Sequence, residues 1–287
     1  MTEPTTDLGL KLTKWLEKQG YPLEMLVAQS FKQRGAIVRQ SDYYIDHEED
    51  KPREIDVLAK WYTAYEMNGL VELEIFYCIE CKSQQKNPWI IFSPGTSKAL
   101  YNLRLPASKD GRHYLLNLLH VVNAVGLFEV AKRAGYGITQ AFKTGPDIPY
   151  QAVMSAVKAA IACISDSDRI AQDVEADLSQ PYYSPVVAIP IVVIDGQLFE
   201  CYLGEENIPV VQEIEVGAIE WKYPIGRATF VENPFEGTPT AFVCTVTALG
   251  KLIAFIEEFN NALVENLPIA QELAERKLHK KSGRSAG

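Results

Sequence analysis

The sequence predicts an α/β fold in which a mixed β-sheet is flanked by helices, and three observations carry that prediction. Residues 8–31 hold two helical stripes of apolar side chains divided at Gly20. Residues 36–92 hold several β-rich runs, two of them separated by a segment ending in Asn68-Gly69, a pair that favours tight hairpin turns. Residues 186–194 are apolar almost throughout, as expected of a strand buried on both faces, and the run is far shorter than the roughly 20 residues of a membrane helix. A chain of 287 residues suffices for one large domain or two small ones. No repeat, low-complexity tract or linker divides it. A single domain over 1–287 is the economical reading, with a core at about 20–92 and elaborations over 93–287.

Taken in order, Leu12, Trp15 and Leu16 mark a first helix over 8–19 that stops at Gly20. Tyr21-Pro22 opens a second, because proline suits the first helical position, and Leu23, Leu26, Val27, Ser30 and Phe31 form its buried stripe up to Gly35. Residues 36–45 read as a strand, the acidic run 46–50 as a turn, and 54–62 and 70–83 as paired strands. Trp89–Phe92 is a further short strand. The connection from Ser93 to Arg112 carries no clear signal. Two apolar helices are expected at about 113–134 and 149–164. A second hairpin is expected from 185–194 and 197–203 around Asp195-Gly196, then strands at 210–223 and 241–246. A last helix over 247–277, capped by Thr247 and bent near Pro268, would end in a frayed basic tail.

Composition narrows the class. The apolar fraction is 47% and the charged fraction 23%, values of an ordinary globular protein. Residues 1–7 are polar and acidic, so no secretory signal is expected and the reading is cytoplasmic, with no membrane partner. The five cysteines suit reduced thiols, and Cys78 and Cys81 on one strand would face opposite ways and could not share a zinc ion. The net charge of −9 lies wholly in the second half: residues 1–150 have 18 basic and 18 acidic side chains, residues 151–287 have 10 and 19. That half suggests a face turned toward a protein partner or a second copy. The stretch 82–112 is locally basic, with Lys82, Lys86, Lys98, Arg104, Lys109 and Arg112 against Asp110, and a phosphate backbone needs a local positive surface more than a positive total. Lys86, Lys98, Arg104 and Arg112 are therefore the expected nucleic-acid contacts.

The chemistry concentrates on two strands. Asp56 interrupts the apolar run Ile55-Val57-Leu58-Ala59, and a carboxylate so placed needs a cation or a hydrogen-bonding partner. Ile79-Glu80-Cys81-Lys82 repeats the anomaly, and strand alternation puts Glu80 and Lys82 on one face. A turn centred near Asn68 brings Asp56 opposite a position within about one residue of Glu80. Two carboxylates and an ammonium would then meet, an arrangement that a divalent cation between the acids makes sensible.

With Tyr21-Pro22-Leu23-Glu24 on the preceding helix, then Glu54-Ile55-Asp56, then Glu80-Cys81-Lys82, the order of residues resembles the PD-(D/E)XK, or restriction-endonuclease-like, nuclease superfamily. The match spans about residues 20–92, and Ile55 stands where the proline of the family's name would be. The resemblance implies a restriction-endonuclease-like sheet and a Mg²⁺-dependent deoxyribonuclease of restriction, defence or repair, an endonuclease in the first instance, with Mn²⁺ able to substitute. It implies that Asp56, Glu80 and the backbone carbonyl of Cys81 hold the metal. Glu24 would bind a second metal or a metal-bound water, Lys82 would orient the attacking water, and Gln84, next on the same strand face, would touch the phosphate. Products would carry 5′-phosphate and 3′-hydroxyl ends. A non-catalytic nucleic-acid-binding or assembly module of the same fold is the alternative, and RNA remains open as substrate. Trp89 and Tyr101 could stack on bases, although packing is the commoner role.

Overall fold

The computed structural model describes residues 7–16, 18–66, 70–83, 86–94, 104–122, 125–128, 130–177, 182–221 and 239–284. Its elements are α1 (Asp7–Leu16), α2 (Tyr21–Lys32), β1 (Ile37–Asp46), β2 (Lys51–Glu66), β3 (Leu70–Lys82), β4 (Trp89–Phe92), α3 (Lys109–Asn117), α4 (Leu119–Val122), β5 (Ala134–Gly135), β6 (Gly137–Gln140), α5 (Ile148–Asp177), β7 (Tyr182–Tyr183), β8 (Val186–Ile194), β9 (Leu198–Leu203), β10 (Pro209–Ile214), β11 (Val216–Glu220), β12 (Thr240–Thr245), α6 (Leu249–Glu265) and α7 (Leu267–Arg284). The expected mixed sheet with flanking helices is present. It runs β1-β2-β3-β8-β12-β11-β5, with β7 beside the start of β3, and a second sheet runs β10-β9-β4-β6.

Side-chain period explains the layering. In β3, Leu73, Ile75, Tyr77 and Ile79 face a core shared with Leu23, Val27 and Phe31 of α2 and with Phe259 and Leu263 of α6. The alternate residue Cys78 faces α5, packing near Ala159, Ala160 and Ala162. β8 lies parallel between β3 and β12 and is buried along its whole length, which is why its sequence is continuously apolar. Cys78 and Cys81 do point to opposite faces: the Cys78 thiol is 4.0 Å from that of Cys163 on α5, while Cys81 joins the α2 core.

Helix α5 is the one described helix long and apolar enough to cross a membrane by length and composition, and half of its most apolar window is buried. Its facing residues Ala152, Ala156, Ala159 and Ala160 are almost wholly enclosed, so the apolarity is that of a core helix. It also bridges the sheets, since Ala152, Val153, Ala156 and Val157 share a cluster with Trp89 and Ile91 of the smaller one. Trp89 is fully buried, so packing is its role.

Several expected elements come out differently. Residues 185–203 are not a hairpin: β8 belongs to the large sheet and β9 to the small one, so the chain turns at Asp195-Gly196 to change sheets, and the hairpin forms one strand later, between β9 and β10. The expected strand 210–223 is likewise divided between the two sheets as β10 and β11. The helix expected at 113–134 is broken into α3, α4 and a 3₁₀ turn at Gly126–Phe128, and its end is strand β5. Any Cβ at Gly126 would meet the Phe255 ring at 2.6 Å, so close packing against α6 takes precedence over helical continuity. The last helix divides at Asn266 into α6 and α7, and Thr247 is not its cap: the capping position falls on Ala248, while Thr247 hydrogen-bonds Thr245 at 2.9 Å. The backbone beyond Lys277 stays helical to Arg284.

Candidate active site

Asp56 sits where the β2–β3 ladder ends. The last pair is Val57 with Ile79, so the next positions in the same register are Asp56 and Glu80, as the turn geometry predicts. On its other side β2 pairs with β1 through Gln40–Val57 and Asp42–Ile55, leaving Ser41 opposite Asp56. Ser41 has φ of 50°, a left-handed conformation that interrupts the ladder locally. Freed from regular pairing, the Asp56 carboxylate accepts the Cys81 backbone N–H at 2.6 Å.

Lys82 lies between the two acids. Its Nζ is 2.6 Å from Glu80 Oε2 and 3.6 Å from Asp56 Oδ2. The other Glu80 oxygen accepts from Ser155 Oγ of α5 at 2.6 Å, so both oxygens of this buried carboxylate are engaged. Burial raises the Glu80 pKa and Asp56 adds to the rise, against the lowering effect of Lys82. Burial opposes the charge on Lys82, yet Glu80 and Asp56 outweigh it and its pKa ends raised. Glu24 enters from the first turn of α2, where the proline-led start predicted from Tyr21-Pro22 is found. Its pKa is raised by burial first and then by Asp56 and Glu54.

Together these side chains line a cleft of about 1010 Å³ between the N-terminal turns of α2 and α5. Its wall carries Glu24, Asp46, Glu49, Glu54, Asp56 and Glu80 against Arg53, Lys82 and Lys158. All three cations are committed: Arg53 to Glu49 at 2.6 Å, Lys82 as above, and Lys158 to Asp46 and Glu48 at 2.8 Å each. The cleft is therefore acidic, and a polyanion entering it needs added positive charge.

The donor chemistry fits such a cation, since Asp56, Glu80 and Glu24 are hard oxygen ligands crowded beyond what Lys82 neutralises. The arrangement does not present a finished cage. Among the described residues no three His, Cys, Asp or Glu side chains converge as metal ligands, and Lys82 holds a place beside Glu80. A cation would have to draw Lys82 off that oxygen.

The crowding gives a stability test. A raised carboxyl pKa means that the charged form is penalised in the folded state, so the penalty is full above the raised value and gone below the unfolded one. Glu24→Gln should stabilise the protein in EDTA at neutral pH by less than about 1 kcal/mol, given solvent screening, and so raise its melting temperature. The gain should fade as pH falls toward the ordinary carboxylate range. A melt series from pH 7 to 4 on both proteins checks it, and a pH-independent difference would refute the repulsion.

Among the described residues of the basic segment, Arg104 and Arg112 do not lie beside this site. Thr240 at the start of β12 takes the Arg104 backbone, and Ala107 bridges Val187 at the start of β8, whereas Glu80 and Lys82 pair with Val192 and Ile194 at its far end. Arg112 lies with Arg104 at that opposite end, near Asp168. Lys86 is exposed, between β3 and β4. Gln84 and Lys98 lie outside the described residues. Cys81 contributes its N–H to Asp56 and its thiol to the core.

The α5 contribution, Gln151, Ser155 and Lys158, was not among the expected site residues. Its signal is a polar row at positions i, i+4 and i+7 of a helix otherwise rich in Ala, Val and Ile. Against this geometry, no family model, no curated protein and no solved structure matches the chain.

Proposed function

We propose that the protein is a Mg²⁺-dependent nuclease of restriction-endonuclease-like fold that hydrolyses DNA phosphodiester bonds, acting as an endonuclease in restriction, defence or repair. The observation that supports this most is the meeting of Asp56, Glu80 and Lys82 at the ends of adjacent strands, with Glu24 entering the same cleft. Asp56 and Glu80, with the Cys81 carbonyl, would hold the metal, and Glu24 would complete its surroundings. The bound metal would supply a Lewis acid for the scissile phosphate and lower the pKa of a water. Lys82, released from Glu80, carries its charge to the attacked phosphate and orients the water. Ser155 keeps Glu80 aimed while Lys82 moves.

One observation favours a second reading, a nucleic-acid-binding or assembly module that retains the fold without catalysis. With Lys82 and Ser155 both on Glu80, that carboxylate has a partner on each oxygen without a metal. Incubation with plasmid, linear duplex, single-stranded DNA and RNA in Mg²⁺, Mn²⁺ and EDTA separates the two. The enzyme reading expects nicked or linearised plasmid in either metal and none in EDTA. Intact substrates under every condition would leave the binding module.

A further inference from the structure

The sulfurs of Cys78 on β3 and Cys163 on α5 lie 4.0 Å apart, although 85 residues separate them in sequence. Both are free thiols, and they differ in access: Cys78 is fully buried and Cys163 half-buried. Cys163 also lines a cleft of about 490 Å³ with Tyr44, Phe76 and Ser167, so a small polar molecule can approach its side of the pair. Among the described residues, Cys81, Cys201 and Cys244 have no second sulfur at that distance.

The packing that brings them together is local. Cys78 and Glu80 alternate onto one face of β3, and α5 meets them with Cys163 and Ser155 in turn. Ala159 and Ala160 share the Cys78 cluster, and their methyl groups let the helix lie close to the strand. At 4.0 Å no atom fits between the two sulfurs. A disulfide is about 2.0 Å long, so about 2 Å remains to be closed, a distance that rotations of two short side chains can share.

We infer that Cys163 is an oxidation site for hydroperoxides, with Cys78 as the resolving thiol that converts it to an intrachain disulfide. An accessible thiol backed by a second one is the arrangement that reversible thiol oxidation requires. The Cys163 sulfur attacks the peroxide: an S–O bond forms, the O–O bond breaks, and the leaving oxygen departs as water or alcohol with the thiol proton. Cys78 then attacks the Cys163 sulfenic acid: the S–S bond forms, the S–O bond breaks, and water leaves with the Cys78 proton. The two thiols together lose two electrons and the peroxide gains them. The bond ties α5 to β3 two residues from Glu80 and closes a long loop, which stabilises the fold by restricting the unfolded chain. None of this depends on the cleft being a nuclease site.

Treatment of the reduced full chain with hydrogen peroxide, followed by peptide mass mapping without reductant, tests this. The wild type should lose two of its five thiols. The tryptic peptides 61–82 and 159–169 should be joined, with fragment ions placing the bond at Cys78 and not Cys81. The melting temperature should rise by several degrees and return to its starting value in dithiothreitol. Cys163→Ser should abolish both the joined peptides and the rise. Cys78→Ala should stop the reaction at the Cys163 sulfenic acid, which dimedone traps. Circular dichroism checks that both variants fold, and Cys163→Ser, at a half-buried position, decides the matter by itself if the buried change does not. Separate peptides after oxidation, a wild-type Cys163 recovered as sulfinic acid, a bond between two copies, or a melting shift that survives Cys163→Ser would each overturn the inference.

Discussion

Alanine at Asp56, Glu80 or Lys82 is expected to lower DNA cleavage by a factor on the order of 10³ or more while leaving a folded protein. The two carboxylates would serve one bound ion, so Asp56→Ala/Glu80→Ala should be hardly worse than either single change. Metal binding should divide the set differently. Asp56→Ala and Glu80→Ala should lose Mn²⁺ binding by calorimetry, because each removes an oxygen ligand. Lys82→Ala should bind at least as tightly as the wild type: an ammonium is no ligand, and here it occupies Glu80 Oε2. Protons compete for the same oxygens, and Glu80 and Glu24 both have raised pKa values. Mn²⁺ affinity should therefore begin to fall at a pH above that of an ordinary carboxylate site. Unchanged affinity in both carboxylate variants would end the metal-site reading, and full cleavage in EDTA would end the mechanism.

Lys158→Ala should destabilise the protein by about 3 kcal/mol, the largest stability effect expected near the site. Asp46 is only 3% exposed and its carboxylate holds Lys158 at 2.8 Å, with the Glu48 backbone N–H at 3.1 Å. Burial alone would raise the Asp46 pKa, but the hydrogen bond and charge of Lys158 reverse this and leave it lowered. Removing Lys158 strands that charge, with Arg53 no nearer than 4.0 Å. Denaturant unfolding of Lys158→Ala, Asp46→Ala and the double variant should show a double loss smaller than the sum of the single ones. The sign of the pH effect follows from the lowered pKa. The wild-type advantage should be complete above the ordinary aspartate value and shrink as pH falls through the depressed one. Strictly additive losses would mean that the pair is not coupled. Lys158 also fastens α5 to the β1–β2 turn, so the single variant should lose cleavage through a displaced Ser155.

The site's strand half was legible because its signals are local. Period-two alternation and the Asn68-Gly69 turn suffice to place Asp56 opposite Glu80, and a buried acid in an apolar run is conspicuous. Its helix half depends on which face of α5 meets the sheet, and pattern alone does not order Gln151, Ser155 and Lys158 against a strand 70 or so residues earlier. The hairpin expected at 185–203 shows a second limit. Asp195-Gly196 marks a chain reversal correctly, but β8 had already found partners on both sides in β3 and β12, leaving β9 to pair elsewhere. The basic stretch 82–112 is spread out for a related reason: its residues are neighbours in sequence, but among the described ones the chain carries Arg104 and Arg112 back to the other end of β8.

The alanine row of α5 has a consequence for how this protein can vary. Ala152, Ala156, Ala159 and Ala160 are each no more than 1% exposed, so methyl groups set how closely the helix lies on the sheet. At that spacing the short Ser155 side chain reaches Glu80 at 2.6 Å. A valine at 152 or 156 would act as a shim, costing about 1–3 kcal/mol in overpacking and lifting Ser155 beyond hydrogen-bond reach. Substitutions there are thus filtered twice, once for volume and once for the aim of a carboxylate they never touch.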